Sequence, residues 1–204
     1  MAPSMSGRVA VLVSGSGTNL QALLDDPAVG PRVVLVVSDR ADAYALVRAR
    51  GREVATTVLE SASFPDRAAH DAAVLAALEA SEVDVVVLAG YLRLLARSVL
   101  DAYPNRVLNV HPALLPSFPG MHGVADALAY GVKVTGVTVH LVDEGLDTGP
   151  VVLQEAFEVR RDDTWDTVEP RVHELEHRLL PRAVRALSEG RLVVDGRHAW
   201  IEGE

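Results

Sequence analysis

The sequence predicts an α/β fold: a doubly wound, mostly parallel sheet with helices on both faces. Three observations carry the prediction. Short aliphatic runs alternate with stretches of helical period through the first half of the chain. Those runs, Val33–Val37 and Val85–Ala89 among them, are apolar without interruption, as in strands covered on both faces. A glycine-rich turn, Ser14-Gly15-Ser16-Gly17, joins the first run to the first helix, where sheets of this kind receive ligands.

Taken in order, Arg8–Val13 is a strand and Asn19–Leu24 a helix. Val33–Val37 is a second strand, Ala41–Arg50 a helix and Glu53–Val58 a third strand. Pro65–Ala80 is alanine-rich, with Val74, Leu75 and Leu78 on one helical stripe, and Asp84–Ala89 returns to strand. Right-handed crossovers place the loops after successive parallel strands on one sheet edge. Arg106–Val110 forms the next strand and runs into His111–Gly120, where four prolines and glycines in nine residues forbid regular structure. Val134–Val142 alternates, with Val137, Val139 and Leu141 against Thr138, His140 and Val142. The loop Asp143–Pro150 and the strand Val151–Val159 follow. Trp165, Val168, Val172, Leu175, Leu179, Val184 and Leu187 then mark one face of a long helix. Pro170 and Pro181 lie inside that pattern and predict a late start, a kink or a break. Arg191–Val194 and His198–Ile201 read as a terminal hairpin around Asp195-Gly196. No repeat or linker divides the chain, so residues 1–204 are expected to form a single domain.

Composition removes several classes of function. The chain carries 28 acidic and 19 basic residues, a net charge of −9, which repels phosphate backbones and argues against bulk nucleic-acid binding. A small cationic pocket is still allowed. The absence of cysteine rules out disulfides, thiolate metal sites and cysteine nucleophiles, and suits a reducing cytoplasm. No apolar run approaches the roughly 20 residues of a membrane helix, and the polar start Met1–Arg8 lacks the apolar segment of a secretory signal. Lys133 is the sole lysine, the bias expected of a GC-rich bacterial genome.

Two places can carry chemistry. Glycines in Ser14–Asn19 let backbone approach an anion while the amides opening the helix face it. The third glycine of the dinucleotide pattern is replaced by Leu20, and a Walker lysine is absent, although Asp39 lies about 20 residues on. A single phosphate, a dinucleotide and a plain strand-to-helix turn all stay open. The second place is Asn109-Val110-His111. Strand alternation puts Asn109 and His111 on one face, so an amide donor and a titratable imidazole can reach one reacting centre. The loop Asp143–Pro150 can bring a carboxylate to that histidine and raise its pKa. Taken alone, His111 reads more readily as a satisfied core histidine; the rigid loop and the amide neighbour bring the two readings level.

His173-Glu174-Leu175-Glu176-His177 matches the H-E-x-x-H zinc pattern on the long helix. The extended form of that motif needs a glycine and a histidine where Leu180 and Ala183 stand, so a polar helix face is the expected reading and no metal is predicted. No G-x-S-x-G occurs, which removes the nucleophile-elbow hydrolases.

Four motifs together resemble the phosphoribosylglycinamide formyltransferases, folate-dependent enzymes of purine synthesis. They are Ser14-Gly15-Ser16-Gly17-Thr18-Asn19-Leu20-Gln21, Ala89-Gly90-Tyr91-Leu92-Arg93, Asn109-Val110-His111-Pro112-Ala113-Leu114-Leu115-Pro116 and Asp143-Glu144-Gly145-Leu146-Asp147-Thr148-Gly149-Pro150. The likeness runs from Val9 to about Trp200 in the family's motif order, and His-Pro-x-Leu-Leu-Pro followed by Phe118-Pro119-Gly120 is its most specific part. Two related families differ at Pro112. The formyltetrahydrofolate hydrolases carry a histidine there and an N-terminal regulatory domain; the methionyl-tRNA formyltransferases carry a glycine and a C-terminal RNA-binding domain. Neither added domain is expected in this chain.

The resemblance implies a Rossmann-like formyltransferase fold and 10-formyltetrahydrofolate as co-substrate. It further implies direct formyl transfer to the amino group of glycinamide ribonucleotide, with no covalent enzyme intermediate. Gly17, Thr18 and Asn19 would hold the substrate phosphate and Glu176 its ribose hydroxyls. Leu92, Arg93, Leu94 and Leu95 with Asp143, Glu144, Gly145, Leu146 and Asp147 would form the pterin pocket, and Arg67 would meet the benzoylglutamate end. Asn109, His111 and Asp147 would be catalytic, with Asp147 holding His111 cationic at neutral pH. Bulk at Gly17 would intrude on the phosphate, and the Leu115–Pro116 bond would be cis. Ser16, Thr18 and Asp39 depart from the family pattern, and the role of Asp39 stays open. The partners implied are small molecules alone; oligomeric state, a homodimer included, is not legible.

Overall fold

The computed structural model describes residues 7–204, so Met1–Ser6, most of the polar start read above, lies outside the described residues. The first half builds the parallel part of the sheet in the expected alternation. In order come β1 (Val9–Val13), α1 (Thr18–Asp25), β2 (Val33–Ser38), α2 (Tyr44–Arg50), β3 (Ala55–Val58), α3 (Arg67–Ala80), β4 (Val85–Leu88), α4 (Arg97–Ala102) and β5 (Val107–His111). After β5 come α5 (Gly123–Tyr130), β6 (Val134–Leu141), β7 (Val151–Glu158), α6 (Trp165–Ser188), β8 (Leu192–Asp195) and β9 (His198–Ile201). The nine strands lie in the order β3-β2-β1-β4-β5-β6-β7-β9-β8. β1 pairs in parallel with both β2 and β4, and β4 with β5, whereas β6 runs antiparallel to β5 and β7 to β6.

Chain order reverses between β1 and β4, so the loops leaving these two strands flank a switch-point crevice. They are stitched together there. The Ser14 N–H donates to the Gly90 carbonyl at 3.1 Å, and the Leu92 N–H donates to Ser14 Oγ at 3.0 Å.

The uninterrupted apolar strands bury both faces, as their sequence requires. Val9, Val11 and Val13 join the core beneath α1, α2 and α6, with Leu20, Leu46 and Leu180; Ala10 and Leu12 join a second core beneath α3 and α4, with Val74, Leu78 and Val99. Helix α6 departs from expectation. It starts at Trp165 and runs unbroken through Pro170 and Pro181 to Ser188. An internal proline costs roughly 3 kcal/mol. Each buried valine or leucine contributes roughly 1.5–3 kcal/mol, and Val168, Val172, Leu175, Leu179, Leu180, Val184 and Leu187 are all buried on this helix. Packing outweighs the two prolines.

The Leu115–Pro116 bond is cis. The loop carrying it is pinned by Thr138, whose Oγ1 donates to the Ala113 carbonyl at 2.7 Å and accepts from the Leu115 N–H at 3.1 Å, and by Gln154 Nε2, 2.9 Å from the Leu115 carbonyl.

Candidate active site

Strand β5 delivers Asn109 and His111 to one face. The antiparallel register sets His140 opposite Asn109 and Thr138 opposite His111. Asp147 arrives from the β6–β7 loop with φ +54°, a left-handed conformation uncommon outside glycine and tolerated by aspartate. Its Oδ2 accepts the Gly120 N–H at 2.7 Å and lies 3.5 Å from His111 Nδ1; its Oδ1 lies 3.4 Å from Asn109 Nδ2 and 3.6 Å from His140 Nε2. The three residues singled out from sequence therefore meet at one point.

The tautomers follow from the partners. His111 Nε2 is 2.8 Å from the Phe118 carbonyl, so Nε2 carries the proton and, in the neutral ring, Nδ1 presents a lone pair toward Asp147. His140 Nδ1 donates to the Leu141 carbonyl at 2.8 Å, which leaves Nε2 to accept from Asn109 Nδ2 at 3.1 Å. His140 thus orients the Asn109 amide. Sequence reading did not select it, although its place among the alternate positions Thr138, His140 and Val142, opposite the apolar ones, was the available signal.

One expectation is corrected. His111 is 3% exposed, and burial holds its pKa below the ordinary histidine value despite the opposing pull of Asp147 and the Phe118 carbonyl. Asp147 raises the His111 pKa, as expected, but by less than burial lowers it. Burial pushes Asp147 the other way, up, but its hydrogen bonds and the two nearby histidines hold its pKa below the usual carboxylate value. The resting pair is a neutral imidazole beside an ionised carboxylate. Space for the ring comes from Gly123 at the start of α5, where a Cβ would stand 3.0 Å from His111 Nε2.

The glycine loop supplies a second locus. Gly17, at φ +71°, precedes α1; the first bond into the helix runs from the Gln21 N–H to the Gly17 carbonyl at 2.9 Å. The Thr18, Asn19 and Leu20 amides have no partner within the helix, by its geometry, and no acidic residue occupies its first turn. A Cβ on Gly17 would come within 2.6 Å of the Ala45 Cβ, so bulk there collides with α2 before it meets a ligand. Substituting Gly17 would therefore test packing rather than phosphate binding. Asn19 turns its side chain inward, donating from Nδ2 to Glu176 Oε2 at 3.0 Å.

Glu176 is buried and also receives His173 Nδ1 at 2.9 Å, an interaction that raises the His173 pKa above its ordinary value. The His173 and His177 rings stack in parallel at 5.7 Å. Among the described residues no group of three or more histidine, aspartate or glutamate side chains is arranged to hold a metal ion.

The residues expected to meet a folate lie in the segments after β4 and β6 and at the start of α3. Leu92, Leu94 and Leu146 are each more than half exposed. Arg67 Nη2 donates to the Leu94 carbonyl at 3.4 Å, Glu144 pairs with Arg97 of α4 at 3.2 Å, and Asp143 Oδ1 accepts the Gly145 N–H at 3.0 Å and Thr148 Oγ1 at 2.6 Å. Arg93 is half-buried.

This geometry has a counterpart among known proteins. Residues 7–184 match the formyl transferase family. The chain belongs to the formyl transferase family. It is 49% identical over 202 residues to the phosphoribosylglycinamide formyltransferase of Mycobacterium tuberculosis, covering 98% of this chain and 93% of that protein. It is 39% identical to the enzyme of the same name from Bacillus subtilis, over 88% of this chain and 94% of that one. The crystal structure of glycinamide ribonucleotide transformylase 1 from Symbiobacterium toebii superposes with a TM-score of 0.91 at 50% identity, over 95% of this chain and 93% of that chain. The formyl transferase fold expected from the motifs is therefore the fold found.

Proposed function

We propose that the protein transfers the formyl group of 10-formyltetrahydrofolate to the amino group of glycinamide ribonucleotide. The observation that carries this reading is the convergence of Asn109, His111 and Asp147, with His111 and Asp147 3.5 Å apart; the glycine turn that opens α1 supports it. The names of the relatives suggest the acceptor, and the motif resemblance suggests the folate donor. The exposed leucines at 92, 94 and 146 suit a flat apolar ring, and Arg67 against Leu94 suits the carboxylates of a benzoylglutamate.

The substrate amine, uncharged, attacks the formyl carbon, and the carbonyl oxygen takes up negative charge. Asn109 and His111 stabilise that oxygen, the imidazole becoming cationic as it takes the proton that the attacking amine releases. Burial disfavours a lone imidazolium; a new oxyanion together with Asp147 reverses the balance. The bond from the formyl carbon to the folate nitrogen then breaks. That nitrogen gains a proton through His111 or an ordered water, and the amine loses one, so the proton count closes. Gly17, Thr18 and Asn19 hold the phosphate through backbone amides, and Glu176 holds the ribose hydroxyls with His173 and Asn19 fixing its carboxylate.

The test is absorbance of the released folate with and without glycinamide ribonucleotide. Release that depends on the ribonucleotide and survives chelator supports the reading. Release that is indifferent to the ribonucleotide, or that requires added zinc, overturns it.

A further inference from the structure

Helix α2 lies against the outer side of the glycine loop and makes two polar contacts there. The Ala45 N–H donates to the Gly15 carbonyl at 3.1 Å, and Arg48 Nε donates to the Ser16 carbonyl at 2.8 Å. In a planar trans peptide the C=O and the following N–H point in opposite directions. Pinning the carbonyls of Gly15 and Ser16 to α2 therefore aims the N–H groups of Ser16 and Gly17 away from α2. Consecutive amides pointing outward make an anion-receiving nest.

Arg48 does more than hold a carbonyl. Its Nη1 donates to Gln21 Oε1 at 3.1 Å, tying the first turns of α1 to the same guanidinium, and the group stacks over Tyr44 at 5.0 Å. These hydrogen-bond acceptors are neutral. Among the described residues no carboxylate pairs with Arg48, whereas the neighbouring Arg52 pairs with Asp25 and Arg178 with Glu155. A groove of about 670 Å³ opens at this point, lined by Arg48 with Thr18, Gln21, Asp25, Asp26 and Arg178 among others. Asp25 in that lining pairs with Arg52 instead, so among the described residues no carboxylate makes a direct ion pair with Arg48.

We propose that Arg48 is a positioning residue for the substrate phosphate: it turns the Ser16 carbonyl away from the anion and sets beside the loop a positive charge with no direct carboxylate partner. The proposal rests on the reading of Gly17–Asn19 as the phosphate site. Ala45 anchors the loop independently of Arg48, through its hydrogen bond and its contact with Gly17, so the fold survives loss of the guanidinium.

The experiment compares Arg48→Ala, Arg48→Gln and Arg48→Lys with the parent protein. Each is assayed on glycinamide ribonucleotide and on its phosphate-free riboside, and amide shifts are followed during titration with inorganic phosphate. Arg48→Ala should raise KM for the ribonucleotide roughly tenfold to a hundredfold, the loss of one charge-assisted contact. Its kcat, its KM for the folate and its KM for the riboside should each stay within about twofold. Arg48→Lys should recover part of the loss, since it returns the charge without the fork that spans Ser16 and Gln21. Arg48→Gln, which keeps a donor without charge, should resemble Arg48→Ala and serves if the alanine variant misfolds. An unchanged KM for the ribonucleotide, or equal increases for ribonucleotide and riboside, would overturn the proposal. If the Ser16–Asn19 amides of the parent protein ignore phosphate, the loop reading itself fails; if they respond and Arg48→Ala binds phosphate equally well, the Arg48 proposal alone fails.

Discussion

Asp147→Asn keeps the shape of the site and removes the carboxylate closest to His111. At the observed 3.5 Å between His111 Nδ1 and Asp147 Oδ2, one ion pair is worth about 1 kcal/mol with water-like screening and about 5 kcal/mol at an effective dielectric constant of about 20. Both side chains are nearly buried, at 4% and 11% exposure, so the larger figure is the closer guide. If the imidazolium forms as the oxyanion does, turnover at pH 7.5 should fall roughly tenfold to several thousandfold. The Gly120 N–H still finds an oxygen on asparagine, so the fold should hold. The sign of the pH effect follows from the charges. Burial already lowers the His111 pKa and Asp147 raises it, so removing Asp147 lowers it further and moves residual activity toward lower pH. NMR titration of the His111 imidazole in both proteins, with kcat against pH, measures this. A double variant with His111→Asn should cost far less than the product of the single losses, because the pair acts as one unit. An unchanged His111 pKa, or multiplicative losses, would refute the coupling.

Four further outcomes are expected. Ser16→Asp places a carboxylate on an exposed position of the glycine loop and should raise KM for the ribonucleotide about tenfold while leaving that for the folate alone; equal effects on both would contradict a local phosphate site. Gly17→Ala should lower stability by about 2 kcal/mol or more, read as Tm, because φ is +71° and the new Cβ meets Ala45. Gly15→Ala, with open space around it, should change Tm little. Glu176→Gln should weaken ribonucleotide binding and lower the His173 pKa. The carboxylate raises that pKa in the folded state, so the stabilisation it gives is present at low pH and fades as pH rises through the folded value; a His173 titration that does not move in the variant would contradict this.

The sequence showed what is local. The aliphatic runs of β1, β2 and β4 announced a sheet buried on both faces, and the spacing of Asn109 and His111 put both on one face of β5. The turn residues after β1 pointed to a candidate anion site, with a plain turn left open. What it could not show depends on distant neighbours. The partnership of His140 with Asn109 is a matter of register between strands separated by the whole 112–133 segment. The neutral state of His111 depends on burial, which a charge count along the chain does not contain. Helix α6 keeps Pro170 and Pro181 because tertiary packing overrides local preference, and α4 and α5 are too short to show a period. Gly17 looked like a residue kept small for a ligand; its nearest obstacle is Ala45.

The central claim is direct transfer between two small molecules at the Asn109–His111–Asp147 site. Single turnover with 10-formyltetrahydrofolate labelled with ¹³C in the formyl group, followed by NMR in the presence of glycinamide ribonucleotide, tests it most directly. The label should pass in one step to the amide of the formylated ribonucleotide, at a rate lowered in Asp147→Asn. Label appearing as free formate, or held on the protein before reaching the ribonucleotide, would contradict the account.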